Sequence, residues 1–241
     1  MAKSPKPRCV YCNAAGPTRD HVPPRALLER EYPPNLFWVP ACAACNQGFA
    51  RDEQYFVTIL SSIATAPTLA NRVSDGVSVD RSLTAAPGLD QRIISSLSVG
   101  DDGRVMLQPE LHRMNRIVAK IAFGLFVRRY SVVPRPEEVR PLGIFPYNIE
   151  DQRPALLVAL ACRENFTSKR WTHVQRGVFS YLIARTGSSN NELVCIMDIH
   201  QTVWGAARIP NPSACRDRVA SRSLRQLPLM FGYPPGESSH S

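Results

Sequence analysis

Two cysteine pairs, Cys9-x2-Cys12 and Cys42-x2-Cys45, flank an Asp20–His21 dipeptide near the start of a 241-residue chain. Four thiolates in two short pairs make a closed tetrahedral zinc site, and the two-residue gap lets both sulfurs of a pair face one ion. Such a zinc has no open coordination position, so it holds structure and does no chemistry. It would tie a turn to the start of a helix and fold a segment too small to have a core of its own. Reduced cysteines packed without metal, or a redox switch, are the competing readings; two Cys-x2-Cys pairs rarely arise from packing alone. Between the pairs, Asp20 and His21 supply a carboxylate and an imidazole, the groups that phosphodiester hydrolysis uses. On consecutive residues of an extended segment they point to opposite faces. One is then placed for a hard cation and the other for a water.

The pattern Cys9-Val-Tyr-Cys12, Asp20-His21-Val-Pro, Pro34-Asn35-Leu-Phe-Trp-Val-Pro-Ala-Cys42-Ala-Ala-Cys45-Asn46 resembles the HNH endonuclease family. These are ββα-metal nucleases, many of which carry a four-cysteine zinc site. The likeness covers under a fifth of the chain, and the remainder resembles no family. It implies an N-terminal zinc-stapled ββα (treble-clef-like) module; with the helix and antiparallel β-meander read from the rest of the chain, the expected fold class is α+β. The resemblance also implies roles. His21 is the general base toward water, suited to this by an ordinary pKa of ~6.5. Asp20 and Asn46 hold one Mg²⁺ or Mn²⁺ through oxygen, and Asn35 orients His21 by a hydrogen bond. The products carry 5′-phosphate and 3′-hydroxyl ends. Many family members have histidines at the Asn46 position and one turn on, where this chain has Asn46 and Ala50. Oxygen in place of nitrogen shifts the expected preference from transition metals toward Mg²⁺ or Mn²⁺. Asp52 and Glu53 then read either as holders of a metal-bound water or as solvated helix charges.

These groups need elements to position them. Pro23 and Pro24 block a helix after His21. Leu36–Val39 reads as a short strand ended by Pro40. From Ala43, apolar residues at Phe49, Phe56, Ile59, Leu60 and Ile63 recur at helical spacing, which predicts a helix with Asn46 and Glu53 two turns apart on one side. Pro109 opens a second helix reaching about Arg129, with a stripe of Leu111, Met114, Val118, Ile121 and Leu125. Further on, Ala155–Ala161, Val174–Ala184, Leu193–Ile199 and Thr202–Ile209 read as strands, the last three as an antiparallel meander. The division that follows is a module at 1–66, an irregular connection at 67–104 with a short helix near 89–97, an α+β region of unassigned role at 105–232, and a flexible tail at 233–241.

The formal net charge is +9, from 29 Lys+Arg against 20 Asp+Glu. This favours an anionic partner, with nucleic acid first and DNA the expected form. Segments 104–140 and 206–226 concentrate the excess. Arg113, Arg116, Lys120, Arg128 and Arg129 form either a phosphate-tracking stripe or the solvated side of an amphipathic helix. Arg19 and Arg25 lie near enough in sequence to meet a phosphate beside His21. His112, His173 and His200 have no partners at ligand spacing, and Cys162, Cys195 and Cys215 read as small packing groups. The basic N-terminus lacks a signal peptide's apolar stretch, and no run is long enough to span a bilayer. The expectation is a cytoplasmic protein without membrane contact, whose C-terminal region serves DNA docking, self-association or a protein partner. Set against the nuclease is a zinc-finger-like module that binds nucleic acid or protein without cutting it.

Overall fold

The computed structural model describes residues 7–63, 88–99, 101, 105–146, 171–185 and 192–219. The expected strand at 155–161, Cys162 and the 233–241 segment fall outside that set.

The N-terminal unit starts with a turn at residues 10–12 that carries the first cysteine pair. Two strands follow, β1 (Thr18–His21) and β2 (Trp38–Ala41), and then helix α1 (Ala43–Ile63). The strands pair antiparallel, with Asp20 opposite Val39 and His21 opposite Trp38. Pro40 lies inside β2 and does not end it. In a two-stranded sheet it needs no ladder partner on its imide side, and its carbonyl accepts from the Val10 amide at 3.0 Å. That bond ties the first cysteine turn to β2.

In the connection, α2 (Leu89–Ser95) matches the expected short helix. A small hairpin of β3 (Leu97–Val99) and β4 (Val105–Leu107) adds order that the weak periodicity there concealed. The long helix α3 runs Leu111–Tyr130. Pro109 precedes it, and Leu111, expected in the apolar stripe, is 56% exposed. The helix ends where Ser131 turns left-handed, φ 54°.

The C-terminal region is a five-stranded antiparallel sheet. Its strands are β5 (Arg140–Pro146), β6 (Thr172–Gln175), β7 (Phe179–Arg185), β8 (Leu193–Ile199) and β9 (Val203–Ile209), in the order β5-β9-β8-β7-β6. The meander is present, but the run expected as one strand over Val174–Ala184 is two, β6 and β7, separated by a turn at residues 176–178 where Gly177 is left-handed (φ 74°); β5 extends the meander by pairing with β9. A final helix, α4, spans Pro212–Val219. The protein is therefore mixed α/β with antiparallel sheets, and among the described residues no helix is long and apolar enough to cross a membrane.

One hydrophobic core runs through both regions. It includes Cys9, Tyr11 and Val22 from the N-terminal unit, Phe49 and Phe56 from α1, Ile117 to Phe126 from α3, and Met197, Val203 and Ala207 from the sheet. Helix α3 is the shared wall. It packs on α1 on one side and on β5 and β9 on the other. Close approach is required at two glycines. A Cβ on Gly205 would come within 3.2 Å of Val118, and one on Gly124 would meet the Val22 methyls at 2.4 and 2.8 Å. Val22 immediately follows His21, so α3 presses directly against the strand end that presents the imidazole.

Candidate functional site

The four cysteines converge. The Sγ atoms of Cys9, Cys12, Cys42 and Cys45 all lie within 4.8 Å of one another, and none is in a disulfide. The Cys12–Cys42 separation is 3.6 Å. A tetrahedral zinc with Zn–S near 2.3 Å demands about 3.8 Å between sulfurs, so the donor set fits this ion. Local backbone geometry supports it. The Cys45 amide donates to Cys42 Sγ at 3.4 Å, and the first turn closes through Asn13 N to Cys9 O at 2.8 Å, with Asn13 left-handed. Gly16 must lack a side chain, because a Cβ there would lie 2.7 Å from the Cys9 amide nitrogen. A hydrogen bond from Cys45 pulls the Cys9 thiol down to about 4, and the same contact pushes Cys45 up. A zinc bound here would link the turn before β1 to the start of α1.

Strand β1 then alternates. Thr18 and Asp20 face α1 and α3, while Arg19 and His21 face outward. Asn46, one residue past the last cysteine, reaches back to β1 and donates from Nδ2 to Thr18 Oγ1 at 3.2 Å; Thr18 in turn donates to Ala41 O at 2.7 Å. Asn46 and Asp20 are thus brought to one side of β1, with His21 on the other. Asn35 sits exposed in the turn after Pro34, and among the described residues its side chain makes no hydrogen bond to His21.

His21 is half-buried. Its pKa is held below the ordinary value, chiefly by that burial and then by the charge of Arg25, with Lys120 and Arg19 acting the same way and Asp20 opposing. It therefore sits as a neutral imidazole in a positive surrounding. Arg19 lies over the Trp38 ring at 4.7 Å, and Arg25 over Tyr32 at 5.4 Å. Trp38 is 39% exposed, so a cation and an aromatic face share the outer surface with His21. The segment after His21 is anchored to the C-terminal sheet. Gln175 accepts from Glu29 N at 3.0 Å and donates to Glu29 O at 3.2 Å, and His200 Nε2 lies 3.0 Å from Leu27 O.

Asp20 has a different environment. It is 3% exposed. One oxygen lies 2.5 Å from Lys120 Nζ, and the other accepts from Tyr11 OH at 2.7 Å. Lys120 has no exposed surface and also bonds Glu53. Tyr11 is wedged between Phe49 and Phe123, and its hydroxyl is pushed well up by burial and by Asp20. A hard divalent cation on Asp20 needs a carboxylate oxygen facing an open position filled out by water. Here both oxygens have protein partners, and the charge is already met by an ammonium. The Asp20 half of the implied Mg²⁺ site does not fit the residues as they stand.

Asp52 and Glu53 are neither water holders nor solvated charges. Asp52 is buried and takes Arg113 Nε at 2.6 Å together with Arg116. Glu53 is pushed up by burial, against the pull of Lys120. Three of the five basic residues of α3 expected to face phosphate or water, Arg113, Arg116 and Lys120, instead face α1, while Arg128 and Arg129 are exposed. Lys120, Tyr11 and the Asp52–Arg113–Arg116 cluster are what the sequence reading missed. One pattern pointed to them: from Ile117 to Val127 the helix is apolar on every side except Lys120. A helix with no polar face is buried, and a charge within it must be paired.

Compared with protein-family models, with curated proteins and with solved structures, the chain matches none of them.

Proposed function

We propose that this chain is an HNH-type endonuclease hydrolysing phosphodiester bonds in nucleic acid, DNA in the first instance. The observation that carries the reading is the environment of His21. It is a half-buried imidazole at the end of β1, whose burial, with the charges of Arg25 and Arg19, holds its pKa below the ordinary value and leaves it neutral. In this reading the arginines draw the phosphate in, and Trp38 offers a face to a base or sugar. His21 accepts the proton of a water as its oxygen attacks phosphorus; the P–O3′ bond breaks and the departing 3′ oxygen takes a proton from solvent, leaving a 5′-phosphate and a 3′-hydroxyl. Asn46, through Thr18, holds the start of α1 against β1. The resemblance asks in addition for Mg²⁺ or Mn²⁺ on Asp20 and Asn46, and the engagement of Asp20 described above is what stands against that part.

The same engagement favours a second reading, a zinc-stapled module that binds nucleic acid without cutting it. A plasmid-nicking assay with Mg²⁺, Mn²⁺ or EDTA separates the two. The nuclease reading expects nicking that His21→Ala abolishes while binding to the plasmid persists. Binding by the wild-type protein with no nicking under any of the three conditions, and identical behaviour of His21→Ala, would leave the binder. Offering RNA and DNA side by side identifies the polymer.

A further inference from the structure

The α1–α3 interface contains one charge whose position bears directly on metal chemistry. Lys120 rises from the middle of α3, between the buried Ala119 and Ile121. Its ammonium lies between Asp20 on β1, at 2.5 Å, and Glu53 on α1. The stem lies along the Phe49 ring, whose centroid is 5.3 Å from Nζ. Nothing of Lys120 reaches solvent, so the ammonium cannot snorkel away when another cation approaches. A buried carboxylate is stable only when its charge is met and its lone pairs are used. Lys120 and Tyr11 do both for Asp20.

We propose that Lys120 is a built-in counter-ion that takes the place of a divalent cation at Asp20, so that the wild-type Asp20 carboxylate does not ligate metal while Lys120 is present. The proposal rests on the nuclease reading only for why a metal would be sought at Asp20. A divalent ion there would stand within a few ångströms of a fully buried ammonium. Removing the ammonium reverses the situation. Lys120→Met keeps the length and apolar stem of the side chain but leaves the buried Asp20 and the partly buried Glu53 as two carboxylates sharing one space. An oxygen-rich pocket of that kind suits Mn²⁺ or Mg²⁺.

The test reads Mn²⁺ binding by loss of the free-ion electron paramagnetic resonance signal, on the zinc-loaded full-length chain, with no substrate present. Wild type and Asp20→Asn are expected to bind Mn²⁺ equally. Lys120→Met is expected to bind at least about tenfold more tightly, and its melting temperature should rise with added Mn²⁺ where that of wild type does not. A wild-type Mn²⁺ site that Asp20→Asn abolishes overturns the proposal, as does a folded Lys120→Met with wild-type affinity. Should Lys120→Met fail to fold, the comparison of wild type with Asp20→Asn still decides the matter. Nicking by wild type together with equal Mn²⁺ binding in those two proteins would uphold both the proposal and the nuclease reading. Absence of nicking fails the nuclease reading alone.

Discussion

Asp52→Asn is the substitution that most directly tests how the two halves of this protein are joined. The carboxylate is 2% exposed at its side chain, against 8% for Arg113 and 16% for Arg116. Asparagine keeps the volume and one acceptor but removes the charge that balances both guanidinium groups. Breaking a buried ion pair from one side costs roughly 3–5 kcal/mol, because the surviving charge is left without compensation. Several contacts reduce that figure here. Arg113 keeps the Arg51 carbonyl at 3.1 Å and Glu110 at 3.5 Å, and Arg116 keeps the Gly48 carbonyl at 3.1 Å. The guanidinium groups also rest on the Tyr55 and Phe49 rings, at 4.4 and 4.8 Å. The expected loss is therefore at the low end, about 3 kcal/mol. Against a total stability of roughly 5–15 kcal/mol this is large, and for a chain of this size it corresponds to a fall of about 6–12 °C in Tm. Urea and thermal unfolding of the zinc-loaded protein measure it. The loss should be nearly insensitive to salt, since buried pairs are poorly screened. Adding Arg113→Met to Asp52→Asn should cost less than the sum of the two single losses. A solvated helix charge would give a change within about 0.5 kcal/mol; that result, or a loss that vanishes at high salt, refutes the reasoning.

Three further outcomes are expected. Reduced protein should hold one zinc per chain by metal analysis, and Cys42→Ser should lose it and lower Tm, because the cluster joins β1's approach to α1; reduced wild-type protein free of zinc would show that the cysteines serve something else. Gly124→Ala should destabilise by about 1–3 kcal/mol, as overpacking does, because the new methyl meets Val22 at 2.4 Å, whereas Gly205→Ala, with its nearest neighbour at 3.2 Å, should cost less; equal costs measured by urea unfolding would contradict the packing. The His21 imidazole should titrate by NMR below its ordinary pKa of ~6.5. The unfolded chain then binds more protons than the folded one in that window, so stability falls as pH drops through it, and nicking should persist to below that ordinary pKa. A midpoint at or above the ordinary value overturns both statements.

The order of elements was legible because it follows from local chemistry. The helix α1 is written in Phe49, Phe56 and Ile59, and the meander in β-branched runs separated by turn residues. The cysteine cluster was legible for a similar reason: two residues between ligands is a geometric statement that sequence carries by itself. Boundaries were less so. Pro40 reads as a terminator only if its strand has a neighbour on both sides, and in the structure β2 has one. Leu111 fits the apolar stripe by count, yet it sits at the first helical position, before α3 meets a partner. The placement of His21 and Asp20 on opposite faces followed from strand alternation, while the identity of what each meets did not.

What the sequence could not show is which charges are complements. Arg113, Arg116 and Lys120 follow one another at steps of three and four, and Asp52 and Glu53 lie some 60 residues earlier. Read locally, the first set is a basic face and the second a pair of solvated helix charges. Only when α3 is laid against α1 do they become one interface, with Asp20 at its edge. This has a consequence for the division into modules. Asp20 takes its counter-charge from α3, Val22 packs against Gly124, and the segment after His21 is held by Gln175 and His200. The Asp20–His21 strand is therefore set from two sides, by the cysteine cluster at its start and by the C-terminal half at its end. The 105–232 region is then part of what fixes the His21 environment. Its first role is to give the N-terminal unit the core and counter-charges that a segment of that length lacks.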